Sequence, residues 1–195
     1  MWEPPKPFTI LNRGLIEAAA ALLEEGGGPA AVTLREVGRR VGVSHNAPYK
    51  HFADKEELLA AVAAAELRRG RDSVLRLRRG HPAVEAVRLM LHAYAREAIR
   101  HPEMFRLTYG PWRNGSAELA SAADDARASL VQSVTAAQAD GELPAGDPER
   151  LTALLLALAH GASDLALSGH LARKGKGHAD PADLIDDLFA QLTAH

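Results

Sequence analysis

Apolar residues recur three and four positions apart along most of the chain, the spacing that lays one face of an α-helix against a core. The first run predicts a helix from about Phe8 to Glu25, with Ile10, Leu15, Ala18, Ala19 and Leu22 on one face, stopped by Gly26-Gly27-Gly28-Pro29. Leu34, Val37 and Val41 supply the stripe of a second, short helix, for which Thr33 and Glu36 have the spacing of a capping box. Gly42 then makes a turn, Val43 packs inward, and Ser44 is an N-cap for a third helix over about His45 to Phe52. Pro48 removes the first intrahelical hydrogen bond of that helix. A first turn that is mostly unpaired can tolerate the loss, with a tightened or kinked start.

A fourth helix, capped by Asp54, continues to about Arg79, a length of roughly 35 Å at the helical rise. It ends at Gly80-His81-Pro82, and a fifth follows to about Arg100, with Glu85, Arg88, His92 and Arg96 opposite Val84, Val87, Leu91, Tyr94 and Ala98. A short helix over Glu103 to Tyr109 and another helix over about Ala117 to Asp140 come next, then a helix from about Pro148 to Ser168 capped by Asp147. This one is apolar almost all round, so part of it must face something other than its own subunit's core. The last, about Pro181 to Thr193, sets Leu184, Ile185, Leu188, Phe189 and Leu192 against Asp183, Asp186 and Asp187. The pattern predicts an all-α protein of about nine helices. Residues 1–60 form a three-helix helix-turn-helix domain and 61–195 a second helical domain, the last two helices making a homodimer interface across a two-fold axis. A monomer with a thick core is the alternative.

Composition agrees: 195 residues, 47% hydrophobic and 5% aromatic, can bury a core, and abundant Ala and Leu favour helices. The absence of cysteine excludes disulfides and thiolate chemistry. The proline-rich residues 1–7 have no signal-peptide pattern and read as a loose arm, in which Lys6 is within reach of a DNA backbone. No apolar run reaches the roughly 18 residues that span a bilayer, so the chain is expected in the cytoplasm with no membrane partner. Net charge is −2, unevenly spread. Through Gly80 there are 13 Lys and Arg against 10 Asp and Glu, net +3, and from His81 10 against 15, net −5. The basic first part permits a nucleic-acid partner. Arg68, Arg69, Arg71, Arg76, Arg78 and Arg79 read as a solvated helix face.

The chemistry concentrates at the third helix. His45, Asn46, Ala47, Tyr49, Lys50 and His51 are too polar and too clustered for a helix that only packs, and Phe52 is its buried anchor. They present either a reader of DNA or a solvated face between two core helices. Nine histidines lack metal-ligand spacing, so no metal and no cofactor is expected. Neither a nucleophile elbow, a phosphate-binding loop nor a paired acid and base is apparent, so no catalytic residue is assigned.

The stretch from Thr33 to Leu59 resembles the DNA-binding domain of the TetR family of bacterial transcriptional regulators: Val43-Ser44 match its turn, Tyr49-Lys50-His51-Phe52 the end of its recognition helix, and Lys55 the lysine that follows. Pro48 stands where the family more often has leucine. The resemblance implies that Thr33, Ser44, Tyr49, His51 and Lys55 contact phosphates, which fix register without reading sequence. It implies that Arg35, His45, Asn46 and Lys50 face base edges and that Ala47 meets a thymine methyl, although Arg35 or Lys50 serving only to neutralise phosphate fits equally well.

His101 to Pro111 and Leu156 to Leu167 are similar to the C-terminal ligand-binding domain called WHG, found in TetR-like regulators. His160 and Gly161 match its signature, and Leu156 replaces its tryptophan. This implies a small apolar or aromatic effector in a cavity lined by Leu91, Tyr94, Met104, Phe105, Thr108, Tyr109, Leu156 and His160. The function so implied is a homodimeric, ligand-responsive repressor of a palindromic double-stranded DNA operator. A helical protein-binding module and an α-helical enzyme are the other readings of the same helices.

Overall fold

The structure, a computed structural model, describes residues 10–112 and 115–193; the proline-rich arm with Lys6, and Phe8, lie outside the described residues. Among the described residues eight α-helices carry the fold: α1 Ile10–Glu25, α2 Leu34–Val41, α3 Lys55–Gly80, α4 Ala83–Arg100, α5 Pro102–Tyr109, α6 Ala117–Ala139, α7 Pro148–Leu167 and α8 Pro181–Leu192. Two 3-10 turns, Pro29–Ala31 and Pro48–Lys50, complete the regular structure. Among the described residues there is no strand, only an isolated bridge between Ala172 and Gly177. The class is all-α as expected. Of the nine expected helices the third, over His45 to Phe52, is absent among the described residues, where a 3-10 turn stands instead.

Contacts divide the chain into two compact units, the first made of Met1–Glu66 with Glu103–Ala120, the second of Leu67–Pro102 with Ser121–His195. In the first, α1 packs on α2 and buries Leu15, Ile16, Ala19 and Leu23. The expected face was rotated: Ile10 is 86% exposed, and Ile16 and Leu23 take the buried places. Asp54 caps α3 as expected, its Oδ1 accepting from Glu57 N at 2.9 Å, while the Glu57 carboxylate accepts from Ala53 N at 2.5 Å. Residues Leu58 to Ala64 of α3 are all buried. The short helix α5 is held by α1, because Glu24 Oε1 accepts from Met104 N at 2.7 Å and so satisfies an orphan donor of its first turn.

In the second unit α4, α7 and α8 pack on one another, with α6 completing a core of Val87, Leu91, Leu130, Val134, Leu155, Ile185 and Phe189. Asp147 caps α7 through Glu149 N at 2.9 Å, and Asp180 with Asp183 makes a full capping box at α8. The polar stripe of α4 is not simply solvated: Arg88 binds Glu85 through Nε and Nη2 and reaches Asp186 of α8 through Nη1 at 2.6 Å, which His92 Nε2 also approaches at 2.7 Å. Part of the arginine cluster of α3 is likewise engaged, Arg71 with Asp125 and Arg78 with Gln132 of α6. By length and composition α7 is apolar enough to cross a bilayer, contrary to the expectation that no stretch is. Instead it packs on α4 and α8, burying Thr152, Leu155, Ala159, Ala162 and Ser163.

Candidate nucleic-acid interface

The site is built by how α2 starts and stops. Thr33, extended at φ −135°, caps the helix: its Oγ1 accepts from Glu36 N at 3.1 Å. The return half of the expected capping box is missing, because the Glu36 carboxylate instead takes the Arg39 guanidinium at 2.9 and 2.6 Å. In the cap the Thr33 hydroxyl acts as the acceptor, so its own proton stays available for donation. At the other end Gly42 sits at φ +76°, left-handed backbone that favours glycine. Gly42 N donates to Arg39 O at 3.2 Å and Val43 N to Gly38 O at 3.0 Å, the paired bonds that close a helix and turn the chain sharply.

Beyond this turn the expected helix gives way to consecutive tight turns. Ala47 N donates to Ser44 O at 2.9 Å, Lys50 N to Ala47 O at 3.2 Å, and His51 N to Pro48 O at 3.0 Å. The cause is Pro48: it has no N–H to offer the Ser44 carbonyl and its ring crowds that oxygen, so Ala47 donates there one residue earlier and the coil tightens. Ser44 is thus not an N-cap; its backbone carbonyl, not its hydroxyl, starts the turn. Pro48 itself is buried, and a Cβ built on Gly38 would lie 2.9 Å from its Cγ. The tightening at Pro48 was expected from sequence, but its packing against Gly38 was not; the available signal was a glycine inside a four-residue apolar spacing, with a proline ten positions on.

With Pro48 and Phe52 turned inward, the polar side chains are left on the surface. Thr33, Arg35, Ser44, His45, Asn46, Tyr49 and Lys50 are exposed, Tyr49 to 53%, while Ala47, His51 and Lys55 are half-buried. The ten candidates thus fall on the first turn of α2 and its cap, the turns that follow it, and the start of α3, with none in the core. Electrostatics separates the cations. Arg39 is held by Glu36, and Arg40 by Glu25 at 2.6 Å. Hydrogen bonds from these arginines hold the Glu36 and Glu25 carboxyls below their ordinary range, so both pairs are fully ionised at neutral pH. Arg35, Lys50 and Lys55 make no ion pair among the described residues, which leaves their charge for an external anion.

The eight candidates for an effector cavity are divided between the two units. Met104, Phe105 and Thr108 are buried in the first, where Tyr109 is 47% exposed and its ring lies 5.4 Å from that of Phe105. In the second, Leu91 belongs to the core, Leu156 packs against it, and the Tyr94 hydroxyl is 2.8 Å from Nδ1 of an exposed His160. An open cleft of about 330 Å³ lies between α4 and α8, but Glu85 and Asp186 already engage its Arg88.

A family model described as bacterial regulatory proteins, tetR family, matches residues 15–62, and one described as Tetracyclin repressor-like, C-terminal domain, matches residues 87–194. The chain belongs to the TetR family. The second match spans both stretches, 101–111 and 156–167, on which the C-terminal resemblance rests. Solved structures agree in fold: a Rhodococcus sp. RHA1 protein is 29% identical with a TM-score of 0.79, covering 98% of this chain and 100% of its own. The regulator FadR from Bacillus subtilis, in complex with stearoyl-CoA, is 15% identical with a TM-score of 0.68, covering 93% and 97%. AibR, in complex with isovaleryl coenzyme A and operator DNA, is 18% identical with a TM-score of 0.64, covering 93% and 97%. No curated protein matches by sequence. As a TetR-family chain the protein is a DNA-binding regulator, and the helix-turn-helix built around α2 lies inside the matched DNA-binding segment.

Proposed function

We propose that this TetR-family regulator is a ligand-responsive repressor, which binds a palindromic operator as a homodimer and is released by a small apolar or aromatic effector. The observation that carries the reading is the sorting of side chains at the helix-turn-helix: apolar Val37, Pro48 and Phe52 inward, and Arg35, Asn46, Tyr49 and Lys50 outward without carboxylate partners among the described residues. Thr33, Ser44, Tyr49, His51 and Lys55 take phosphates, while Arg35, His45, Asn46 and Lys50 take base edges and Ala47 a thymine methyl. Residues 1–60 serve as the DNA-binding domain and 61–195 as the effector-binding and dimerisation domain, in the cytoplasm, where the DNA is.

Dimerisation is supported by α7, on which Leu154 is 67% and Leu165 46% exposed, with Ala157, Leu158 and Gly161 between them on the same stripe. An effector is supported by the acyl-CoA compounds bound in the FadR and AibR structures, whose fold this chain shares. To act, such a ligand must bind the DNA-free state better than the bound one. The test is capture of genomic DNA on the purified protein, followed by footprinting of the recovered sites. A two-fold symmetric footprint lost on adding an acyl-CoA is the expected outcome; no protection even at low salt would sink the reading.

A further inference from the structure

Among the described residues α2 exposes three arginines, and two of them are matched by carboxylates, Arg39 by Glu36 and Arg40 by Glu25. Arg40 reaches back to the end of α1 and so ties two helices together. The Arg39 pair joins no second element: Glu36 stands three residues earlier on the same helix, and the Arg39 side chain is 74% exposed. A pair so exposed adds little to stability. Its place is nevertheless particular. Arg39 lies four residues after Arg35, one turn along the same face of the helix. There its carbonyl accepts from Gly42 N at 3.2 Å, where the chain turns toward Ser44.

Glu36 Oε2 accepts from Arg39 Nε at 2.9 Å, and Oε1 accepts from Nη2 at 2.6 Å. This forked edge is the one with which an arginine clamps a phosphate, two parallel bonds to two oxygens. Here the carboxylate fills it, and in doing so Glu36 forgoes the return bond that would complete a capping box with Thr33. We infer that Glu36 limits the sequence-independent grip of the helix-turn-helix on DNA by holding Arg39 off the phosphate backbone. This rests on the reading of the exposed face of α2 as a DNA-contacting one, and it adds a residue that acts through another and touches no DNA itself.

The test titrates four full-length proteins, wild type, Glu36→Gln, Arg39→Gln and the double variant, with a short duplex of mixed sequence at several salt concentrations. Each phosphate contact steepens the fall of log affinity with log salt by about 0.9. Glu36→Gln releases Arg39, so its slope steepens by about 0.9 and its affinity at low salt rises severalfold. Arg39→Gln keeps the wild-type slope, because the arginine removed made no phosphate contact, and the double variant keeps it too. A carboxylate that acted only through its charge would change the slope equally with and without Arg39. Equal effects in the two backgrounds, an unchanged slope in Glu36→Gln, or a shallower one in Arg39→Gln would each overturn the inference. Damage to the fold does not imitate the expected gain, since Glu36→Gln keeps the backbone bond to the Thr33 hydroxyl and a disrupted α2 binds DNA less. If the wild type itself leaves the duplex unbound at low salt, the DNA-contact reading fails and the inference with it; if it binds and Glu36→Gln changes nothing, the inference alone fails.

Discussion

Gly38 and Pro48 are fitted to each other: a Cβ on the glycine would stand 2.9 Å from Cγ of a buried proline ring that cannot swing aside. This contact sets how closely the turn after α2 approaches it. Gly38→Ala gains about 0.5 to 1 kcal/mol of helix propensity but loses about 1 to 3 kcal/mol to overpacking, for a net loss near 1 kcal/mol. In a Pro48→Ala background the clash is gone and the same substitution stabilises. Thermal unfolding of the four proteins gives the cycle; an unchanged sign of the Gly38→Ala effect would show that the two residues do not oppose each other.

Substitutions at the exposed turn divide by what they are proposed to touch. Lys55→Ala weakens binding to all operators alike and lowers the slope of log affinity against log salt by about 1. Asn46→Ala relaxes preference at one base pair by about 1 to 3 kcal/mol and leaves the salt slope unchanged. Binding isotherms over a set of single-base operator variants at several salt concentrations distinguish these outcomes.

The helical framework was legible because its signals are local. Asp54, Asp147 and the Gly42 turn act within a few residues, and they behave as their spacing predicted. What sequence did not disclose depends on partners distant along the chain. The helix expected over His45 to Phe52 failed because the proline that weakens it locally is also gripped by Gly38, ten residues earlier. Glu24 holding the start of α5, and Asp186 joining Arg88 and His92, connect positions 80 or more residues apart. Ile10, apolar and in phase with the buried face of α1, is left exposed because it lies at the helix end, beyond the core. Among the DNA-binding candidates the residue types were readable; which arginines are free was not, since that required seeing Glu25 beside Arg40.

Glu24→Gln keeps the shape but removes the charge that accepts Met104 N at 2.7 Å. Hydrogen bonds to charged groups contribute about 1.5 to 3 kcal/mol, and a neutral acceptor recovers part of that. Amide exchange at the start of α5 should therefore accelerate in Glu24→Gln and more so in Glu24→Ala, with α7 and α8 unaffected. Uniform acceleration across the protein would indicate global destabilisation in place of local release.

Asp183 is held at a pKa of about 2, below the ordinary 3.8, by hydrogen bonding to Arg173 and to the Asp180 backbone. Because the folded pKa is the lower one, the stabilising effect is present above pH 3.8 and is lost as pH falls toward 2. Arg173→Ala removes the larger cause, so the Asp183 carboxyl titrates closer to 3.8. Carboxylate chemical shifts followed between pH 6 and pH 2 check this; an unshifted midpoint would mean the Arg173 pair does not form in solution.

Leu154→Glu, alone or with Leu165→Glu, places charge on the exposed stripe of α7. Since neither side chain is buried within the chain, helix content and Tm of the subunit should change little, while sedimentation equilibrium should report a monomer. Operator affinity should fall by orders of magnitude as the second half-site is lost. A variant that remains dimeric would place the interface elsewhere.

The tight turns at Ser44 to Phe52 have a thermodynamic consequence. A short helix of that length would be frayed in isolation and would have to be completed on the DNA, adding the heat-capacity and entropy changes of coupled folding. Here Pro48 has its φ fixed by its own ring, and its burial against Gly38 fixes its position before any operator arrives. The reading surface is therefore ordered in advance, and the heat capacity of association should reflect only the area that protein and duplex remove from water.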